Sequence, residues 1–191
     1  MAGIRETDFT EVEIKKLGIR IGVATKADVL DCVGKLEEEM ECKTRTKSCG
    51  SKTLKTRTKG TGNGTLKISA YAPQDMLADL YGMSRTELKD GVIAYGSNSL
   101  HAVACVTAEI LDEDDNEKFK AYPNCTIQKA LSRSVDNDSE DIAMLELEIA
   151  VMPDEHGEGL YEAVVNDLKD DTVKQKWMEE FSRELVTTVV A

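Results

Sequence analysis

The chain reads as a mainly β domain with a few helices, on three observations. Apolar and polar residues alternate with a period of two over several segments, one of them more than ten residues long. A helical period appears in earnest only near the C-terminal end. The 191 residues suit one ordinary domain with a real core, and no composition shift or low-complexity linker divides them.

The elements follow in order. Glu11 to Val23 alternates as a strand, with Val12, Ile14, Leu17, Ile19 and Ile21 apolar. Leu36, Glu38, Met40 and Cys42 share one face of a long strand that Thr44 and Thr46 continue, and Glu37, Glu39, Glu41, Lys43, Arg45 and Lys47 share the other. A period of two sustained that far excludes a helix. Ser48 to Ser51 is a turn signal, Lys52 to Lys59 resumes the alternation, and Gly60, Gly62 and Gly64 predict a second turn before a strand over Thr65–Tyr71. Pro73-Gln74-Asp75 opens a helix carrying Met76, Leu77, Leu80 and Tyr81, which Gly82 ends. Strands are expected at 91–95, 102–111, 119–131 and 142–152, with Asp112 to Asn116 as an acidic turn. Val173, Trp177, Phe181 and Leu185 recur every four residues and predict one amphipathic helix over 171–185, docked by that stripe. The tail Val186 to Ala191 is β-branched and uncharged, which predicts that it pairs with something.

Charge is unevenly spread. Residues 42–74 contain no acid and eight cations, a net +8 that leaves −20 for the rest of a chain whose total is −12. Such separation suits self-association, since the positive patch of one copy can meet the negative patch of the next. The same cations, Lys43, Arg45, Lys47, Lys52, Lys55, Arg57, Lys59 and Lys67, are also compatible with a polyanion- or nucleic-acid-binding β-module, although no aromatic residue accompanies them before Tyr71.

Signatures of chemistry are missing. Gly60-Thr61-Gly62-Asn63-Gly64 has neither dinucleotide nor phosphate-loop spacing. Asp112 to Asn116 mimics the start of a calcium loop, but Glu117 stands where glycine is needed and Pro123 where a bidentate glutamate is needed. Five cysteines without a Cys-x-x-Cys pair, beside two histidines, argue against a zinc site and fit reduced thiols. No catalytic constellation and no cofactor is expected. The apolar runs are too short for a transmembrane helix, and Met1 to Arg5 lacks the pattern of a secretory signal.

Several segments together resemble a known family. Gly64 to Leu77 leads into Leu80-Tyr81-Gly82; the acidic turn precedes Lys120-Ala121-Tyr122-Pro123-Asn124-Cys125; and Tyr161-Glu162-Ala163 precedes Asp171 and Trp177 to Phe181. This order resembles the major tail proteins, or tail tube subunits, of long-tailed non-contractile phages and prophages of Gram-positive bacteria, over residues 10–185. The resemblance implies a β-sandwich or barrel-like core with a flanking helix, and hexameric rings that stack into a tube conducting DNA in the virion tail. It implies no membrane and no specific grip on the passing DNA. Tape-measure, tail-tip and terminator proteins would be partners beside the chain itself. On that basis 43–67 is expected to be an inter-subunit or inter-ring hairpin, and residues 1–10 and 186–191 connecting arms. Glu37, Glu39 and Glu41 are the first candidates for acids facing the bore. A tube protein of a contractile injection system is the related alternative.

Overall fold

The computed structural model describes residues 9–83, 87–135 and 144–188. Eight strands form one antiparallel sheet: β1 (Glu13–Ile21), β2 (Asp28–Leu30), β3 (Val33–Cys49), β4 (Lys52–Ala70), β5 (Val103–Leu111), β6 (Glu117–Ile127), β7 (Leu145–Met152) and β8 (Tyr161–Val164). Their order is β2-β1-β5-β6-β7-β4-β3, with β8 also paired to β6. β6 is shared along its length: residues 118–121 pair with β8 and 124–127 with β7. Pro123, which has no N–H to donate, sits in the bulge between the two stretches. The sheet curls until β1 approaches β3, so mainly β architecture closes around one core.

Alternation decides which residues fill that core. Leu17 and Ile19 of β1, Leu66 and Ile68 of β4, Val106, Ala108 and Ile110 of β5, Tyr122 of β6, and Leu147, Ile149 and Val151 of β7 are all buried there. The short helix α1 (Gln74–Leu80) adds Met76, Leu77 and Leu80, followed by Tyr81. The opposite faces of β5 and β6 supply Cys105, Phe119 and Ala121 to a second, smaller core under α2 (Asp171–Glu180). There Trp177 stacks on Phe119 at 5.8 Å between ring centres and its Nε1 donates to the Lys120 carbonyl at 3.2 Å. Asp170 caps the helix by accepting from the Thr172 amide at 2.8 Å.

The expected single helix over 171–185 is two. Phe181 is extended (ψ 128°), and Ser182 restarts the chain as the cap of α3 (Arg183–Val186), accepting from the Leu185 amide at 3.4 Å. The serine offers the backbone a local partner and so starts a new helix where the apolar stripe alone reads as one. Val173, Trp177 and Phe181 are buried, and Leu185 packs half-buried against them from α3.

Other expectations are corrected. The glycines at 60–64 do not turn the chain: β4 runs through them as one 19-residue strand. They form a bulge, in which Met40 lies opposite Gly64 and Cys42 opposite Gly60. Gly62 has φ +79°, and a Cβ there would lie 2.6 Å from the Gly157 carbonyl, so the glycine answers to a close approach of backbone. Residues 91–95 form no strand: the Ala94 amide donates to the Met83 carbonyl, its carbonyl accepts from the Ser99 hydroxyl, and Val92 and Tyr95 stay exposed. β6 ends at Ile127 rather than 131, and β7 starts at Leu145; the expected start at 142 lies outside the described residues. β2 and β8, only three and four residues long, carry too little alternation to be predicted. Most of the expected N-terminal arm and residues 189–191 of the C-terminal arm also lie outside the described residues.

Candidate functional site

β3 and β4 are far longer than the sheet that holds them. β7 pairs only with Gly64–Ala70, so from Cys42 and Gly60 outward the two strands have only each other. A tight turn at Gly50 (φ +58°) and Ser51 closes this ribbon, joining Cys49 to Lys52. About eight residues per strand at about 3.4 Å each make it roughly 27 Å long. Every residue from 41 to 60 is exposed.

Register sorts the ribbon's two faces. Lys43 lies opposite Lys59, Arg45 opposite Arg57 and Lys47 opposite Lys55. The other face pairs Thr44 with Thr58, whose hydroxyls bond at 2.9 Å, and Thr46 with Thr56 at 3.4 Å. Like charges directly opposite on a strand pair are destabilising, and a two-stranded hairpin alone is marginal in water. No carboxylate among the described residues pairs with any of the six cations, nor with Lys52 at the tip. Lys67, the eighth cation of the basic segment, lies inboard beside β7, opposite Glu37 and Glu148.

Glu37, Glu39 and Glu41 are exposed on the same alternating face of β3 as Lys43, Arg45 and Lys47, immediately inboard of them. Glu37 accepts from Lys35 at 2.8 Å, and that bond holds its carboxyl below its ordinary value. The structure therefore lines up three acids and three cations in succession on one strand and brings none of the two sets into contact.

The opposite face of β3 is tied to the wall by a cluster that sequence reading missed. Lys120, buried in β6, reaches Glu38 and Glu11 at 2.8 Å and Glu162 at 3.4 Å. Burial alone would lower the lysine's pKa, but its hydrogen bonds to Glu11 and Glu38 outweigh that and raise it. The Tyr122 hydroxyl also donates to Glu38; burial, then the carboxylate, raise the phenol's pKa. Lys118 adds a bond to Glu11 at 3.1 Å and lies 4.7 Å from the Phe9 ring centre, so the segment before β1 is fastened to the same strand. The available signal was a lysine on the inward parity of β6, two residues from Tyr122. Its partners come from distant strands, which local pattern does not reveal.

Elsewhere polar groups serve turns. Asp112 accepts from the amides of Asp114 and Asn116 at 2.9 and 2.8 Å and from Asn116 Nδ2 at 2.9 Å, so the calcium-like sequence spends its carboxylate on its own backbone. Among the described residues no group of three or more His, Cys, Asp or Glu side chains is arranged to hold a metal. No described helix is long and apolar enough to cross a membrane.

No protein-family model matches the chain, and no curated protein matches it. Among solved structures, a chain of the anti-feeding prophage baseplate, a 6-fold symmetrised cryo-EM structure, is similar with TM-score 0.49 and 11% identity, over 85% of this chain and 100% of that one. A chain of the cap that terminates the tube of the anti-feeding prophage is similar with TM-score 0.49 and 9% identity, over 86% of this chain and 97% of that one. At such identities and TM-scores the likeness assigns this chain no role.

Proposed function

We propose that the protein is a structural subunit that self-assembles, as the tail tube subunit its sequence resembles, into stacked hexameric rings that conduct DNA in a phage tail. The observation that carries this reading is the ribbon. It holds six cations in three like-charged opposed pairs, has no internal counter-charge, and projects from a body that is strongly acidic. A second copy of the chain supplies the missing carboxylates. β3 supports the same reading as the terminal strand of the sheet, 17 residues long with one edge open, an arrangement that soluble monomers avoid. The excess of acid over the whole chain suits a conduit from which phosphates are repelled. Tape-measure, tip and terminator proteins are the further partners of such a subunit, and its working location is the virion tail.

Negative-stain microscopy of the purified protein over a concentration series tests the reading. Rings or hollow tubes of uniform width are expected. Reversing Lys52, Lys55 and Arg57 to glutamate should leave the subunit folded and abolish assembly. Normal tubes from that triple variant would remove the ribbon from the contact. A protein that stays monomeric and binds DNA with a steep salt dependence would replace the tube reading with a polyanion-binding module.

A further inference from the structure

The ribbon's partner surface is legible in the strand that bears it. Along one face of β3 the side chains run Glu37, Glu39, Glu41, Lys43, Arg45, Lys47, all exposed. The two triplets share the two-residue repeat of a strand, about 6.8 Å between successive charges, and are displaced by six residues, about 20 Å. Inside one copy they are collinear, so only Glu41 and Lys43, where the triplets adjoin, stand at the spacing at which Lys35 reaches Glu37, and the other four charges cannot meet. β4 offers no acid along its whole length, and among the described residues none of the ribbon cations has an ion-pair partner. The strand's outer edge is open from Glu39 outward, beside two of the acids and all three cations, whereas further inboard, near Gly34 to Glu38, β1 lies alongside.

We propose that the cationic ribbon of one copy docks on the acidic foot of the next, so that Lys43, Arg45 and Lys47 meet Glu37, Glu39 and Glu41 of a second copy. The inference rests on the self-assembly reading and names the surface that reading requires. The contact is head to tail: each copy gives a ribbon at the outer end of one strand face and a foot at its inner end, which builds rings or longer arrays. In this contact the three glutamates face the cations of the next copy rather than the bore. Charge complementarity of matched spacing sets register more than raw affinity, so the contact selects one offset among the slips that a polar strand would otherwise tolerate.

The test is a charge exchange. One variant carries Glu37→Lys, Glu39→Lys and Glu41→Lys; the other carries Lys43→Glu, Arg45→Glu and Lys47→Glu. Circular dichroism melts establish that each is folded, and sedimentation velocity with electron microscopy follows assembly at low salt. Each variant alone should need at least about tenfold more protein to assemble, a shift of about 1.4 kcal/mol. An equimolar mixture, or one chain carrying all six exchanges, should recover the wild-type threshold to within about threefold. Wild-type assembly with either folded triplet variant unimpaired, or with no recovery on mixing, overturns this contact and leaves self-assembly standing. A wild-type species that stops at two copies overturns the head-to-tail geometry. A wild-type protein that never assembles overturns the self-assembly reading itself.

Discussion

Lys120 ties the fold together at one point, because three strands and the N-terminal segment meet at its amine. Removing the lysine leaves Glu38 and Glu162 without their cation, while Glu11 keeps Lys118, so Lys120→Ala should cost about 3 kcal/mol in chemical denaturation, above the median for point mutants. The pH dependence follows from Glu11. Burial would raise its carboxyl's pKa, but hydrogen bonds from Lys120 and Lys118 outweigh this and hold it below its ordinary value of 4.5. A carboxylate whose pKa is lowered by folding adds stability above its unfolded value, and that stability is lost as pH falls through the folded one. Melting temperature should therefore fall between about pH 5 and pH 3, less steeply in Glu11→Gln, and equal slopes would mean that the N-terminal fastening contributes nothing. The thiols divide in the same residue-by-residue way. Cys105 and Cys125 are buried, and desolvation pushes the Cys105 thiol up to about 11, whereas Cys32, Cys42 and Cys49 are exposed. A thiol reagent should titrate three cysteines in the native protein and all five after denaturation.

At the scale of elements, α2 is held by a close approach as well as by its apolar stripe. A Cβ on Gly18 of β1 would lie 2.4 Å from Thr107 Oγ1 and 2.6 Å from the Met178 carbonyl, the two atoms whose 2.8 Å hydrogen bond pins the helix to β5. Gly18→Ala should thus cost about 1–3 kcal/mol by overpacking, and Trp177→Ala about 3–5 kcal/mol by leaving a cavity between Phe119 and Phe181. Both are read from denaturant midpoints, and an unchanged midpoint in Gly18→Ala would mean that α2 rides freely on the sheet. What the sequence reveals of these elements follows their physics. The inboard part of β3 and β7 declare themselves by alternation, because one face of each meets the core and the other does not, whereas β5 is buried on both faces and reads as a nearly continuous apolar run. Two things escape. Gly62 and Gly159 serve a backbone contact between β4 and the loop before β8, a Cβ on Gly159 falling 1.8 Å from the Gly62 carbonyl, and the spacing of Gly60, Gly62 and Gly64 alone looks like a turn. Ser182 breaks a helix whose apolar period runs straight through it. The cations of the ribbon were legible as a charge run; that they face one another in opposed pairs depends on a register which the misread glycines concealed.

The molecule as a whole divides into a body that holds all of the buried core and a ribbon that holds none. No residue from 41 to 60 is buried, whereas the two cores between them draw on β1, β4, β5, β6 and β7 and on α1 and α2. Folding therefore does not need the outer ribbon, and its like-charged pairs make it a small net burden on the isolated subunit. Joining Cys42 to Gly60 through a two-residue Asn-Gly turn deletes the projecting arm while keeping the pairs from Met40 and Gly64 inward. The shortened protein should melt within a few degrees of the wild type, or slightly higher, since about 1 kcal/mol moves the midpoint of a domain this size by only about 2–4 °C. It should also fail to form rings or tubes at any concentration. Raised salt should weaken wild-type assembly by screening the same exposed charges, with a Debye length that falls from about 10 Å at 0.1 M to about 3 Å at 1 M. If the shortened protein unfolds, the ribbon is part of the fold. If it folds and still builds tubes, assembly runs through other surfaces and the cation ladder must serve a different partner. Only folding without assembly fits an element whose length answers to what it meets outside its own chain.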